Sequence, residues 1–329
     1  MTVDIVQNKN TISSEARPDM IDVAGTGFTV LDRIYVGVET VISEELGGSC
    51  GNVLLSLAML NRHVAPVLNL GDDEVGERLT GEFRGAGAVT RYIRRHQNTR
   101  SPVLAQHVDT DSGTHFFAFT CPTTHEALPR YEPIGQVDVE DARPILENCA
   151  VFYTDRVSEA IVEAMETAAS KGAIVYFEPS DIKDPTLFRR AVRCATILKY
   201  SADRLGGMVK DAMVPGHTIS IITHGESGLE VSSSTRRYWS KAIAAPVVRD
   251  TCGAGDMVSV GLIDWLISLG QSRKLGLEAD GIAPGIEAGQ RLAAENCAFV
   301  GARGLFQYRG ADYARSVLSR SSVHSQEIL

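Results

Sequence analysis

The chain has 329 residues, with 32 lysines and arginines against 41 aspartates and glutamates, a net charge of −9. That balance excludes non-specific binding to nucleic acid or to an anionic membrane surface, since both need a basic footprint, and leaves small-molecule chemistry as the expectation. The six cysteines, Cys50, Cys121, Cys149, Cys194, Cys252 and Cys297, contain no C-x-x-C pair and predict reduced thiols rather than a zinc site or a disulfide framework.

Met1 to Asp19 is polar, unpatterned and closed by Pro18, and reads as a flexible leader. The first twenty residues have neither a basic start nor an apolar signal core. No later stretch approaches the ~18 consecutive apolar residues of a membrane helix, so the expected location is cytoplasmic. Ile21 to Ala24 reads as a short strand and Gly25-Thr26-Gly27 as its turn. The third glycine of a G-x-G-x-x-G fingerprint is missing and no helix follows at once, which argues against a dinucleotide site. Phe28 to Val38 continues as extended, β-branched sequence around Asp32, a position that on pattern alone is an exposed point of a strand. Gly47-Gly48-Ser49-Cys50-Gly51-Asn52 is a glycine cluster, with Asn52 as the expected N-cap of a helix over Val53 to Asn61.

Val67 to Gly71 reads as the next strand, and Asp72-Asp73-Glu74 open another helix. Pro102 to Val108 and Thr114 to Phe119 alternate on either side of a turn at Asp109 to Gly113, the pattern of a hairpin. Arg100 stands at its mouth, either as a solvated arginine or as a bidentate clamp for a phosphate already on a substrate. Cys121 and His125 supply one pair of metal ligands where a zinc site needs four.

From Ala150 the rhythm becomes strand and helix in alternation. Val151 to Tyr153, a helical stretch to Ser170, Ala173 to Phe177, a helix around Pro185 to Val192, Thr196 to Lys199, and Thr218 to Thr223 follow one another. Such alternation predicts parallel strands joined by helical crossovers. Ile243 to Val248 reads as an apolar strand end that leads into Arg249 and the run Asp250-Thr251-Cys252-Gly253-Ala254-Gly255-Asp256. The small residues Gly253, Ala254 and Gly255 let the backbone turn tightly and point N–H groups one way at the positive end of the next helix. A strand, a glycine turn and a helix N-terminus make an anion cradle. Asp256 in that first turn either complements the helix dipole or takes a proton from a hydroxyl that attacks a phosphoryl group. Gly289 to Cys297 reads as a small-residue helix closed by the turn Phe299 to Gly304, and the polar tail 316–329 reads as loose.

The run Asp250 to Asp256 resembles the D-T-x-G-A-G-D signature of the ribokinase-like (PfkB) family of carbohydrate and nucleoside kinases. Gly47 to Asn52 resembles that family's G-G-x-x-x-N turn, and Thr223-His224-Gly225-Glu226-Ser227-Gly228 resembles its T-x-G-x-x-G nucleotide loop. The three stand in family order and the resemblance spans roughly Ile21 to Gly310. It implies a three-layer α/β/α sandwich on a mainly parallel sheet, one kinase domain over 20–315, with a small β lid formed by about 33–45 and 99–120.

The implied reaction is ATP-dependent phosphorylation of a hydroxymethyl group of a small sugar. Asp256 is the implied general base, and the N–H groups of Gly253, Ala254 and Gly255 the implied anion hole. Asp32, Gly47, Gly48 and Asn52 are implied to hold the acceptor. Thr223, Gly225, Gly228, Thr251 and Asn296 are implied to meet the nucleotide. Asp250, with carbonyls of Ala298 to Gly304, is implied to hold a monovalent cation such as K+. A nucleoside is the second acceptor class and a phosphosugar the third, the last resting on Arg100. Homodimers through the lid are a family habit. The chain departs from the family's N-x-x-E magnesium motif, reading Ser201-Ala202-Asp203-Arg204 at that place. Either Glu178 or Asp203 takes over the outer shell around Mg2+, or the network is rearranged, or the protein is a non-catalytic sugar or nucleotide sensor.

Overall fold

The computed structural model describes residues 20–36, 40–109, 114–209, 216–270, 277–320 and 327–328. The leader expected over 1–19 and most of the turn expected in the hairpin lie outside them.

Strand β1 (Val23–Thr26) is buried along its length, as an interior strand must be. Strands β2 (Val30–Val36) and β3 (Thr40–Gly47) pair antiparallel. Helix α1 (Ser49–Met59) is buried from Cys50 to Ala58, which marks a central rather than a surface helix. It begins at Ser49 with Gly48 as its cap, so Asn52 lies inside the first turn and is not the N-cap expected from sequence. After β4 (Val64–Pro66) and β5 (Leu68–Gly71), α2 (Glu74–Gly85) is capped by Asp73, whose carboxylate accepts from Gly76 N at 2.8 Å. Strand β6 (Ile93–His96) pairs with β5. Strands β7 (Val103–Asp109) and β8 (Thr114–Ala118) form the expected hairpin, and α3 (Gln136–Leu146) follows.

The alternating half is β9 (Val151–Thr154), α4 (Glu159–Ser170), β10 (Ile174–Phe177), α5 (Pro185–Cys194), β11 (Ile197–Ser201), α6 (Ala202–Val209) and β12 (Ile219–Thr223). Then come β13 (Leu229–Ser232), β14 (Arg237–Ser240), α7 (Ala254–Ser268), α8 (Ala283–Asn296), α9 (Gly304–Leu318) and β15 (Glu327–Ile328). Helix α9 carries the ordered chain to Leu318, past the point where the tail reads as loose.

These elements build one nine-stranded sheet in the order β15-β14-β13-β12-β11-β10-β9-β1-β4. From β4 to β12 it is parallel, and beyond β12 it is antiparallel. One face packs on α1, α7, α8 and α9 through residues such as Leu54, Leu57, Leu262, Ile286 and Leu305. The other packs on α3, α4 and α5 through Val139, Ile161, Met165 and Phe188. That is the three-layer sandwich the resemblance implies. A separate small sheet, β3-β2-β7-β8, stands at its edge as the lid.

The strand expected at Ile243 to Val248 is absent. Strand β13 already occupies the edge of β12, and Pro246, with no N–H to donate to a ladder, interrupts the run. Val247 and Val248 stay exposed, and the N–H groups of Arg249 and Asp250 instead bond the carbonyl of Cys297.

Candidate active site

The N-termini of α1 and α7 meet beneath the lid. Gly253 caps α7 with φ 72°, in the left-handed region, and a Cβ there would lie 2.5 Å from the carbonyl oxygen of Ala302. Only glycine makes this turn. The N–H of Ala254 is spent within it, donating to Thr251 O at 3.2 Å, while Gly255, the next residue, is exposed at the mouth of the turn. Asp256 follows in that turn and is only 8% exposed. Its Oδ2 accepts a hydrogen bond from Asn52 Nδ2 at 2.8 Å, which ties α1 to α7. Burial, reinforced by the charge of Glu178, pushes the Asp256 carboxyl up to about 6, against the opposing pull of the Asn52 hydrogen bond and of Lys199. Such a group is ionised at neutral pH and basic enough to take a proton from a hydroxyl.

Behind this turn Glu178, expected near magnesium, is paired with a lysine that the sequence reading did not single out. Lys199, on β11, is 2% exposed and bonds Glu178 at the end of β10. A Cβ on Gly255 would stand 3.6 Å from its Nζ, so the cation forms part of the cradle floor. Glu178 also accepts from Tyr153 at 3.1 Å and from Ser259 at 2.5 Å. The available signal was position, because open α/β sheets hold ligands past the carboxyl ends of their parallel strands.

The residues expected to hold the acceptor sit on and beside the lid. Asp32 is 6% exposed, which overturns the exposed-strand reading: β2 is an inner strand of the small sheet, and this face of it is covered. A Cβ on Gly47 would lie 1.8 Å from Asp32 Oδ2, so the missing side chain is what admits the carboxyl. Burial first, then Glu45, raises the Asp32 carboxyl to about 8, with Arg303 opposing. Arg303 is itself buried, donating to Leu46 O and, at 3.4 Å, to Asn52 Oδ1. No hydrogen bond or ion pair joins the exposed Arg100 to this group. Arg156, just beyond β9, is committed to its own neighbours: it donates to Asp155 at 2.9 Å and Ser180 at 2.8 Å and stacks 4.6 Å over Phe28.

Of the residues expected to meet the nucleotide, Thr223 ends β12, and Gly225 and Gly228 both have positive φ. The ring of His224 lies 5.0 Å from Trp239, whose indole N–H donates to Ser227 O. Thr251 is exposed next to the cradle. Asn296 is fully buried, and its amide is spent on the chain: it donates to Ala302 O at 3.2 Å and accepts from Leu305 N at 3.0 Å, bracing the loop rather than facing a ligand.

Asp250 is likewise occupied, accepting from Cys252 N and Gly301 N, both at 2.8 Å. Among the described residues no group of three or more His, Cys, Asp or Glu side chains is placed to hold a metal ion, and Cys121 and His125 are no exception. Asp203 and Arg204 point into solvent from α6. With Glu178 saturated by Lys199, Tyr153 and Ser259, the residues present do not fit a magnesium ion held directly by the protein. No helix among the described residues is long and apolar enough to cross a membrane.

The family model for pfkB family carbohydrate kinases matches residues 36–296. The bifunctional protein HldE of Pseudomonas fluorescens (strain SBW25) is 26% identical over 307 residues, covering 84% of this chain and 62% of that protein. The chain thus spans less than two thirds of that relative. The ATP-dependent ribose-1-phosphate kinase of Halopiger xanaduensis is 24% identical over 226 residues, covering 67% of this chain and 73% of that one. Among solved structures, ribokinase from Giardia lamblia superimposes with a TM-score of 0.72 at 16% identity, covering 91% of this chain and all of the other.

Proposed function

Because the chain belongs to the pfkB family of carbohydrate kinases, we propose that it transfers the γ-phosphoryl group of ATP to a hydroxymethyl group of a small sugar. The observation that carries this reading is the placement of Asp256, a buried carboxylate raised to about 6, in the first turn of a helix whose N-terminus is an open anion cradle. The acceptor hydroxyl gives its proton to Asp256 as its oxygen attacks the γ-phosphorus, and the bond to the β-bridging oxygen breaks to release ADP. The N–H groups of Gly253 and Gly255, with the Lys199 ammonium beneath them, meet the negative charge of the transferring group; that of Ala254, expected to join them, is held by Thr251 O. Positioning and charge stabilisation of this kind supply most of the acceleration in phosphoryl transfer.

Asp32, Gly47, Gly48 and Asn52 hold the acceptor in this reading, and the Thr223 to Gly228 loop with Thr251 holds the nucleotide. Magnesium enters bound to the ATP phosphates, with Glu178 no closer than its outer shell. Asp250 and the carbonyls of Ala298 to Gly304 would hold a monovalent cation such as K+, with Asp250 already tied to Gly301 N. The exposed Phe116 and Val41 on the lid support a homodimer through that sheet. A nucleoside acceptor is the second reading and a phosphosugar the third, the last resting on Arg100.

The test is ADP release from ATP across D-fructose, D-ribose, inosine and ribose 1-phosphate, with Asp256→Asn in parallel. Turnover on one acceptor class, with a loss of about a hundredfold or more in the variant, is expected. ATP binding by calorimetry without turnover on any acceptor would replace the kinase reading with the sensor reading.

A further inference from the structure

Two of the buried side-chain atoms that lack a hydrogen-bond partner belong to neighbouring strands of the lid: Asp32 Oδ1 on β2 and Gln106 Nε2 on β7. The two strands run parallel, with Asp32 opposite Leu104 and Ile34 opposite Gln106. Asp32 and Gln106 therefore share one face of the sheet, one pleat apart. That face looks onto the signature turn, because Gln106 Oε1 lies 3.9 Å from Cys252 Sγ. The Cys252 thiol is raised by burial and then by Asp250, Asp32 and Asp256, which places it among the carboxylates of the site. Gln106 is 1% exposed, so water does not reach its amide freely. Turning the amide over changes only which of its atoms is orphaned, since a thiol is a weak partner for either.

A buried amide without a partner destabilises the free protein, and such groups persist where a ligand completes them. We propose that Gln106 is a specificity-determining residue of the acceptor subsite, its amide bonding an oxygen of the acceptor adjacent to the hydroxyl that donates to Asp32. The site then selects a neutral polyol rim with two neighbouring oxygens, such as a furanose diol. It disfavours a phosphate at this corner, whose charge would add to the repulsion by Glu45 that already raises the Asp32 carboxyl. A phosphorylated acceptor must carry its phosphate elsewhere. The inference rests on the kinase reading and deepens it.

The test compares the wild-type protein with Gln106→Met, which keeps length and apolar volume. The acceptors are D-ribose, D-fructose, inosine and ribose 1-phosphate, together with 2-deoxy-D-ribose and 2′-deoxyinosine. For the acceptor that turns over best, kcat/KM is expected to fall about tenfold, carried by KM, with the KM for ATP unchanged. Discrimination against its singly deoxygenated analogue should shrink in the variant, because a site built to bond a hydroxyl penalises its loss and an apolar one does not. The unliganded variant should melt about 2 °C higher, as an orphaned donor has been removed. A variant with unaltered acceptor KM, or a melting point that falls because the amide is structural, overturns the inference while the kinase reading stands. Wild-type protein silent on every acceptor defeats the kinase reading, and the inference with it.

Discussion

Replacing Lys199 by methionine tests whether the buried pair beneath the cradle tunes the base. The Lys199 side chain is 2% exposed and that of Glu178 13%, so breaking the pair on one side leaves a carboxylate with little access to water. One-sided loss of a buried pair costs about 3–5 kcal/mol, which in a chain of this size lowers the melting temperature by roughly 4–7 °C. The chemistry responds in a direction set by the charges. Lys199 draws the Asp256 carboxyl down and Glu178 pushes it up, and the net value is about 6. The acid limb of kcat/KM, centred near that pH in the wild type, therefore moves up in Lys199→Met and down in Glu178→Gln. In the double variant both influences are gone, so the limb returns toward its original place. Most of the lost stability returns with it, because replacing both partners of a buried pair is often close to neutral. The double variant stays slow, by about 10²–10³ in kcat, since the transferring phosphoryl group has lost a fixed cation. The assay is kcat/KM for ADP release from pH 5 to 9, with urea unfolding at pH 7. An acid limb that stays in place in both single variants, or a double variant as unstable as Lys199→Met, refutes the reasoning.

Gly253→Ala forces φ 72° on an L side chain and sets a methyl group 2.5 Å from the Ala302 oxygen. The conformational strain alone is about 1–2 kcal/mol, so a lower melting temperature and at least a tenfold weaker kcat/KM for ATP are expected; full activity would mean that the cradle does not hold the phosphates. The Asp32 carboxyl is raised from its ordinary 3.8 to about 8 in the folded protein, so its contribution to stability is fully present below about 3.8 and is lost as pH rises through 8. Between pH 5 and 8 the wild type should therefore lose as much as about 4 kcal/mol relative to Asp32→Asn, measured by urea titration at each pH, and parallel curves would show that the carboxyl is not held protonated. Phe116→Glu places a charge on the exposed outer face of the lid, and sedimentation velocity should show a monomer where the wild type dimerises; an unaltered dimer would place the interface elsewhere.

What could be read from the sequence is what neighbouring residues decide. The alternation from Ala150 to Thr223 set the parallel half of the sheet, the period-two pattern on either side of Asp109 set the lid hairpin, and the small residues from Gly253 to Gly255 set the turn before α7. Period and backbone freedom are local properties, so they survive in one dimension. Burial and pairing are not. Asn52 meets Asp256 across 204 residues, and Lys199 meets Glu178 across 21, only because α1, α7 and the carboxyl ends of β10 and β11 pack at one point. Ile243 to Val248 carries the residue types of a strand and forms none, since β13 already occupies the edge of β12 and Pro246 has no N–H to donate to a ladder. Asp32 and Gln106 read as ordinary polar positions in a strand until the lid closes one face over them. Their charge state and their missing partners are then set by the surroundings rather than by the residues themselves.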